Sequence, residues 1–162
     1  MAEVNTVRGT IDVEAMGPTL MHEHVFVLTQ EHFENFGVGQ WWDEGARVEQ
    51  AVEKLRDLFA IGIHTIVDPT VIGLGRDIHR IRSIAAEVPV NIIVATGVYT
   101  YGDLPFNYTL RGPGTALGGD EPMIEDFTRD ITEGIAGTDT KAAFLKCAVE
   151  HADMTSGVER VL

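Results

Sequence analysis

The run that most restricts the fold is Val90–Thr96, Val-Asn-Ile-Ile-Val-Ala-Thr. It is almost continuously apolar and β-branched, with no in–out alternation. A strand of that kind needs cover on both faces, the condition of a parallel sheet flanked by helices. Thr65–Asp68 is a shorter run of the same β-branched character, and Ala142–Ala148 is a further strand candidate, apolar except for Lys146. Between them the apolar residues change to helical spacing. Val48, Ala51, Val52, Leu55, Leu58 and Phe59 recur at three- and four-residue steps from Ala46, and Gly62 closes that helix. Asp77 caps a second helix with Ile78, Ile81, Ala85 and Val88 on its core face, and Pro89 ends it. Asp120-Glu121-Pro122 opens a third, with Ile124, Phe127, Ile131 and Ile135 expected inside. Ser156-Gly157-Val158-Glu159 reads as a capping box for a fourth.

Upstream, residues 3–13 read as a hairpin turning at Arg8-Gly9-Thr10. Gly17-Pro18 then leads into a first strand, Thr19–His24. The order is a hairpin, three β-α units, a fourth strand and the start of a helix. Such alternation implies a parallel sheet with right-handed crossovers. Long loops are expected at Thr29–Glu44, with Phe33, Phe36, Trp41 and Trp42, and at Gly97–Gly119. Both come after strands, at the sheet end where α/β proteins carry their sites.

Composition narrows the partners. The 162 residues carry 25 acidic and 12 basic side chains, a net charge of −13, which disfavours nucleic acid and anionic membranes. No apolar stretch nears the roughly 18 residues of a spanning helix. The polar start Met1-Ala2-Glu3-Val4-Asn5 lacks a signal-peptide pattern, and the single Cys147 excludes an internal disulfide. A cytoplasmic location is the expectation. Asn107-Tyr108-Thr109 fits a glycosylation pattern only by chance in that setting.

Thr19–His24 ends in His-x-His. On a strand, residues two apart share a face, so His22 and His24 would present two imidazoles to one ion. Two ordinary histidines at a strand end remain the alternative. Lys146 interrupts an apolar strand. Pointing inward, it would be a desolvated amine, and a neutral amine adds carbon dioxide to form a carbamate, an anionic oxygen ligand. Snorkelling to solvent is the other reading. Cys147 then faces the helices as a small hydrophobe. Asp68 stands before Pro69, suited to an Asx turn or to orienting a ligand histidine. Glu23 is expected on the helix side, in a structural hydrogen bond. Tyr99 or Tyr101 could place a phenol over the site, while His32, His64, His79 and His151 lack a partner at ligand spacing. Gly73-Leu74-Gly75 is not a dinucleotide fingerprint, since Ile78 stands where the third glycine is needed.

Taken together, Leu20-Met21-His22-Glu23-His24, Thr65–Ile78 with its Asp-Pro-Thr and Gly-Leu-Gly-Arg-Asp, Ala95–Tyr99 and Lys141–Cys147 resemble the phosphotriesterase family of the amidohydrolase superfamily, particularly its lactonase branch. The resemblance implies an α/β fold, the N-terminal half (about strands 1–4) of a TIM (β/α)8 barrel with a short N-terminal β-hairpin. It implies one partial domain over 1–162, truncated in helix 4, with two histidines and an aspartate of the family's ligand set absent. It also implies two divalent metals, zinc foremost with iron, cobalt or manganese as alternatives. His22 and His24 would hold the more buried metal, a carbamylated Lys146 would bridge both, and Tyr99 would stand on the substrate side. The implied reaction is attack of a metal-bridging hydroxide on a lactone or organophosphate triester, in a full-length homodimer. The fragment by itself is expected to lack full activity. The rival readings are a non-catalytic half-barrel that binds a metal or a partner, and an amide hydrolase of the same superfamily.

Overall fold

The structure is a computed structural model that describes residues 2–37, 42–100, 103–150 and 153–162. Trp41, Tyr101 and His151 lie outside the described residues. Strands β1 (Glu3–Thr6) and β2 (Gly9–Asp12) form the expected antiparallel hairpin. The turn falls at Val7-Arg8, one residue earlier than the glycine suggests, and Gly9 enters β2 at φ 112°.

A four-stranded parallel sheet comes next, in the order β3 (Thr19–Leu20), β4 (Thr65–Asp68), β5 (Asn91–Val98) and β6 (Phe144–Cys147). Helices α2 (Glu44–Ala60), α3 (Ile78–Glu87) and α5 (Pro122–Thr132) alternate with the strands. Their starts are chemically marked. Asp43 accepts from the Ala46 amide, Asp77 from the Arg80 amide and Glu121 from the Met123 amide. One apolar core joins sheet to helices through Val52, Leu55, Ile66, Ile81, Ile84, Ile92 and Val94. Each such side chain contributes about 1.5–3 kcal/mol when taken out of water. The hairpin closes the N-terminal end of the sheet. Arg8 donates to the carbonyls of Ala85 (2.6 Å) and Val88 (2.5 Å), and the Val7 amide donates to Ile92 (2.8 Å).

Both long loops carry short helices, α1 (Gln30–Phe36) and α4 (Phe106–Leu110). The last helix, α6 (Ser156–Val161), is capped by Thr155, which accepts from the Val158 amide; Ser156 is its first helical residue, not its cap. Of the apolar face expected for the third helix, Phe127 packs inward and Ile135 is buried just beyond α5, but the other two residues are not. Ile124 is 69% and Ile131 36% exposed, whereas Met123 and Asp130 are buried. Asp130 turns inward because Arg76 (2.8 Å) and Thr96 (2.6 Å) both donate to its Oδ2. Burying that carboxylate without its two donors would cost more than the pairing returns, so its inward position depends on Arg76 and Thr96.

Candidate metal centre at the C-terminal strand ends

The first strand is much shorter than Thr19–His24: β3 ends at Leu20. Leu20 stands opposite Ile66 and packs with it against the helix-side core. Strict alternation would therefore send His22 and His24 toward the helices. The Glu23 amide instead donates to the Val67 carbonyl at 3.0 Å. In a parallel ladder that bond sets Glu23 opposite Asp68, the place due to His22. One extra residue is therefore accommodated at Met21–His22, a bulge that re-aims the residues beyond it. By alternation the two histidines then share the face of Val67, Ile93 and Gly97. Gly97 pairs with Lys146, so Lys146 is on that face as well.

The imidazoles meet at their tips, with His22 Nε2 and His24 Nε2 3.2 Å apart. His24 Nδ1 lies 2.7 Å from Thr70 Oγ1, and Thr70 Oγ1 lies 2.5 Å from Asp68 Oδ1. Asp68 also accepts from the amides of Thr70 (2.9 Å) and Val25 (3.4 Å). Both roles weighed for Asp68 are thus present: it forms an Asx turn and stands behind a site histidine. Asp68 Oδ1 lies 3.7 Å from His24 Nδ1. Burial holds His24 below the ordinary histidine range, against the raising field of Asp68, and burial holds Asp68 above the ordinary carboxylate range. Near neutrality their contact is therefore a polar one relayed by Thr70, not an ion pair. Glu23 is exposed and makes its contact through its backbone.

Lys146 is half-buried, and burial lowers its pKa from the ordinary lysine range while Cys147, Glu150 and Asp68 oppose that shift. Its Nζ sits 5.0 Å from the centre of the Tyr99 ring, and the Tyr99 hydroxyl donates to Glu150. The strand beside it comes unusually close. A Cβ on Gly97 would stand 1.9 Å from the Lys146 carbonyl oxygen. Cys147 is half-buried, with its thiol pushed up by burial, in keeping with a packing role.

Among the described residues no three His, Cys, Asp or Glu side chains converge on one point. The groups that could hold a metal are the two histidine tips and, on the same face, Lys146. His64 stacks on Phe59 at 4.9 Å, and His79 and His32 are exposed. Sequence reasoning passed over Thr70 and Glu150. Asp-x-Thr spacing hints at the first; nothing local marks the second. It also passed over Arg80, buried against the rings of Phe26, Phe33 and Trp42 at 5.4–5.7 Å and bonded to Glu44 at 2.5 Å. That cation anchors the aromatic loop beside the histidines.

The family model described as the Phosphotriesterase family matches residues 2–162. A Phosphotriesterase homology protein of Mycobacterium tuberculosis is 53% identical over 162 residues, which cover 100% of this chain and 49% of that protein. An aryldialkylphosphatase of Saccharolobus solfataricus is 35% identical over 159 residues, covering 96% and 46%. The solved phosphotriesterase of Mycobacterium tuberculosis superposes with a TM-score of 0.93 at 52% identity, over 99% of this chain and 49% of that one. A structure engineered for organophosphate hydrolysis from a weak promiscuous lactonase template gives 0.85 at 30% identity, over 99% and 49%. The chain spans about half the length of the relatives it matches.

Proposed function

Because the chain belongs to the phosphotriesterase family, we propose that residues 1–162 are the N-terminal part of a metal-dependent barrel hydrolase acting on ester bonds of lactones or organophosphate triesters. The observation that carries this reading is the convergence of two imidazole tips, 3.2 Å apart, at the C-terminal end of a parallel sheet. Two nitrogens on one tetrahedral zinc, at about 2.0–2.1 Å each, stand roughly 3.3 Å apart. The separation of the pair therefore matches that of two ligands on one divalent ion. When bound, divalent metals supply Lewis-acid activation of water and of the scissile ester.

The chain's own residues have distinct tasks. His22 and His24 offer ring nitrogens to the ion, and burial holds the His24 pKa below the ordinary histidine range, which favours its neutral form as a ligand. Burial lowers the Lys146 pKa, which eases release of the proton that carbamate formation requires. Addition of carbon dioxide with loss of one proton would make Lys146 an anionic oxygen ligand. Tyr99 lies against Lys146 and, held by Glu150, forms the substrate-side wall. Full turnover is assigned to the whole barrel and metal capture to this half.

Calorimetric titration with Zn²⁺ tests the reading. Binding should be one-site and fall at least tenfold in His22→Asn and in His24→Asn. Equal affinity in both variants would place any bound ion elsewhere and refute it.

A further inference from the structure

The Thr70 hydroxyl has one proton and three neighbours: His24 Nδ1 at 2.7 Å, Asp68 Oδ1 at 2.5 Å and the Phe26 carbonyl at 3.4 Å. A carbonyl only accepts. The Asp68 carboxylate, addressed by backbone amides on both oxygens, also only accepts. The hydroxyl proton is therefore committed to an acceptor, and toward His24 the oxygen offers a lone pair. Asp68 is 2% exposed and Thr70 6%, so water does not compete for these positions.

We infer that Thr70 and Asp68 are positioning residues that hold His24 in its Nδ1–H tautomer, leaving the Nε2 lone pair aimed at His22. Which ring nitrogen carries the proton is set by the bond the other side of the ring makes. The inference rests on the proposed metal centre only for its consequence; the tautomer is a property of the metal-free chain. It assigns Thr70 work beyond turn formation. The Asx turn needs only the Thr70 amide, which valine keeps, whereas the relay needs its hydroxyl.

The test is nitrogen-15 NMR of the metal-free chain with labelled histidine, at a pH above the imidazole range, with His24 assigned by its loss in His24→Gln. The wild-type ring should show protonated Nδ1 and bare Nε2. Thr70→Val should revert His24 toward Nε2–H, and Thr70→Ser should restore the wild-type pattern. Far-UV circular dichroism confirms that each variant is folded, and Asp68→Asn provides a second disruption should Thr70→Val not fold. Zn²⁺ affinity should fall about 10- to 100-fold in Thr70→Val and recover in Thr70→Ser. An Nε2–H ring in the wild-type chain, or a pattern unmoved by Thr70→Val, overturns the inference. The expected tautomers without Zn²⁺ binding at His22 and His24 would support the inference and defeat the metal reading instead.

Discussion

Replacing Gly97 by alanine should separate the two strands that hold Lys146 in place. Gly97 sits opposite Lys146 at φ 135°, a backbone region costly for an L side chain. The added Cβ would lie 1.9 Å from the Lys146 carbonyl oxygen and 2.9 and 3.0 Å from its carbonyl carbon and amide nitrogen. Ordinary contact begins near 3.4 Å, so β5 and β6 must part by about 1.5 Å. That exceeds what ladder hydrogen bonds tolerate. Two such bonds are worth about 0.5–1.5 kcal/mol each, and the backbone strain about 1–3 kcal/mol. The loss is then about 2–6 kcal/mol, a large share of a domain's stability. In urea, with a slope of about 2 kcal/mol per molar, the midpoint should fall by about 1–3 M. Gly9→Ala is the control, since Gly9 has φ 112° and open space where its Cβ would go. It bears the backbone strain alone. Equal midpoint shifts in the two variants would refute the argument, because the contact with Lys146 would then contribute nothing.

Arg80→Met takes the guanidinium away from Glu44, which keeps its bond from Trp42 Nε1, and removes the cation from between the rings of Phe26, Phe33 and Trp42. It should cost about 2–4 kcal/mol and expose the segment 29–37 to protease, and Arg80→Lys should not rescue it, lacking the planar fork; an intact cleavage pattern would count against the clamp. Lys146→Met should raise stability at neutral pH. With the folded pKa of Lys146 lowered, the unfolded chain binds the extra proton between that value and the ordinary lysine range, so wild-type stability climbs with pH across the window and is lost as pH falls through the folded value. Urea melts at pH 7 and pH 10 should show this slope in the wild type and a flatter one in Lys146→Met; parallel profiles would contradict it.

Much of the architecture was open to sequence reading because its signals are local. β4 matches Thr65–Asp68 residue for residue, α3 begins after Asp77 as its cap predicts, and β5 tracks the Val/Ile run with small shifts at its ends. The chemistry-bearing residue types, His22, His24 and Lys146, are equally plain, since two imidazoles and a strand lysine stand out wherever they occur. On α5 the exposure of Ile124 and Ile131 has a non-local reason: Asp130 answers to Arg76, 54 positions away.

The sequence by itself therefore determined the order of strands and helices and singled out His22, His24 and Lys146 as candidate site residues. Periodicity and capping depend only on neighbours along the chain. Tertiary structure alone decided where the histidines point. Alternation from Leu20 would have turned both toward the helices, and one extra residue at Met21–His22, set by the bond from Glu23 to Val67, turns them to the face of Lys146. That choice belongs to the pairing of two strands more than forty residues apart, and no pattern within either strand contains it.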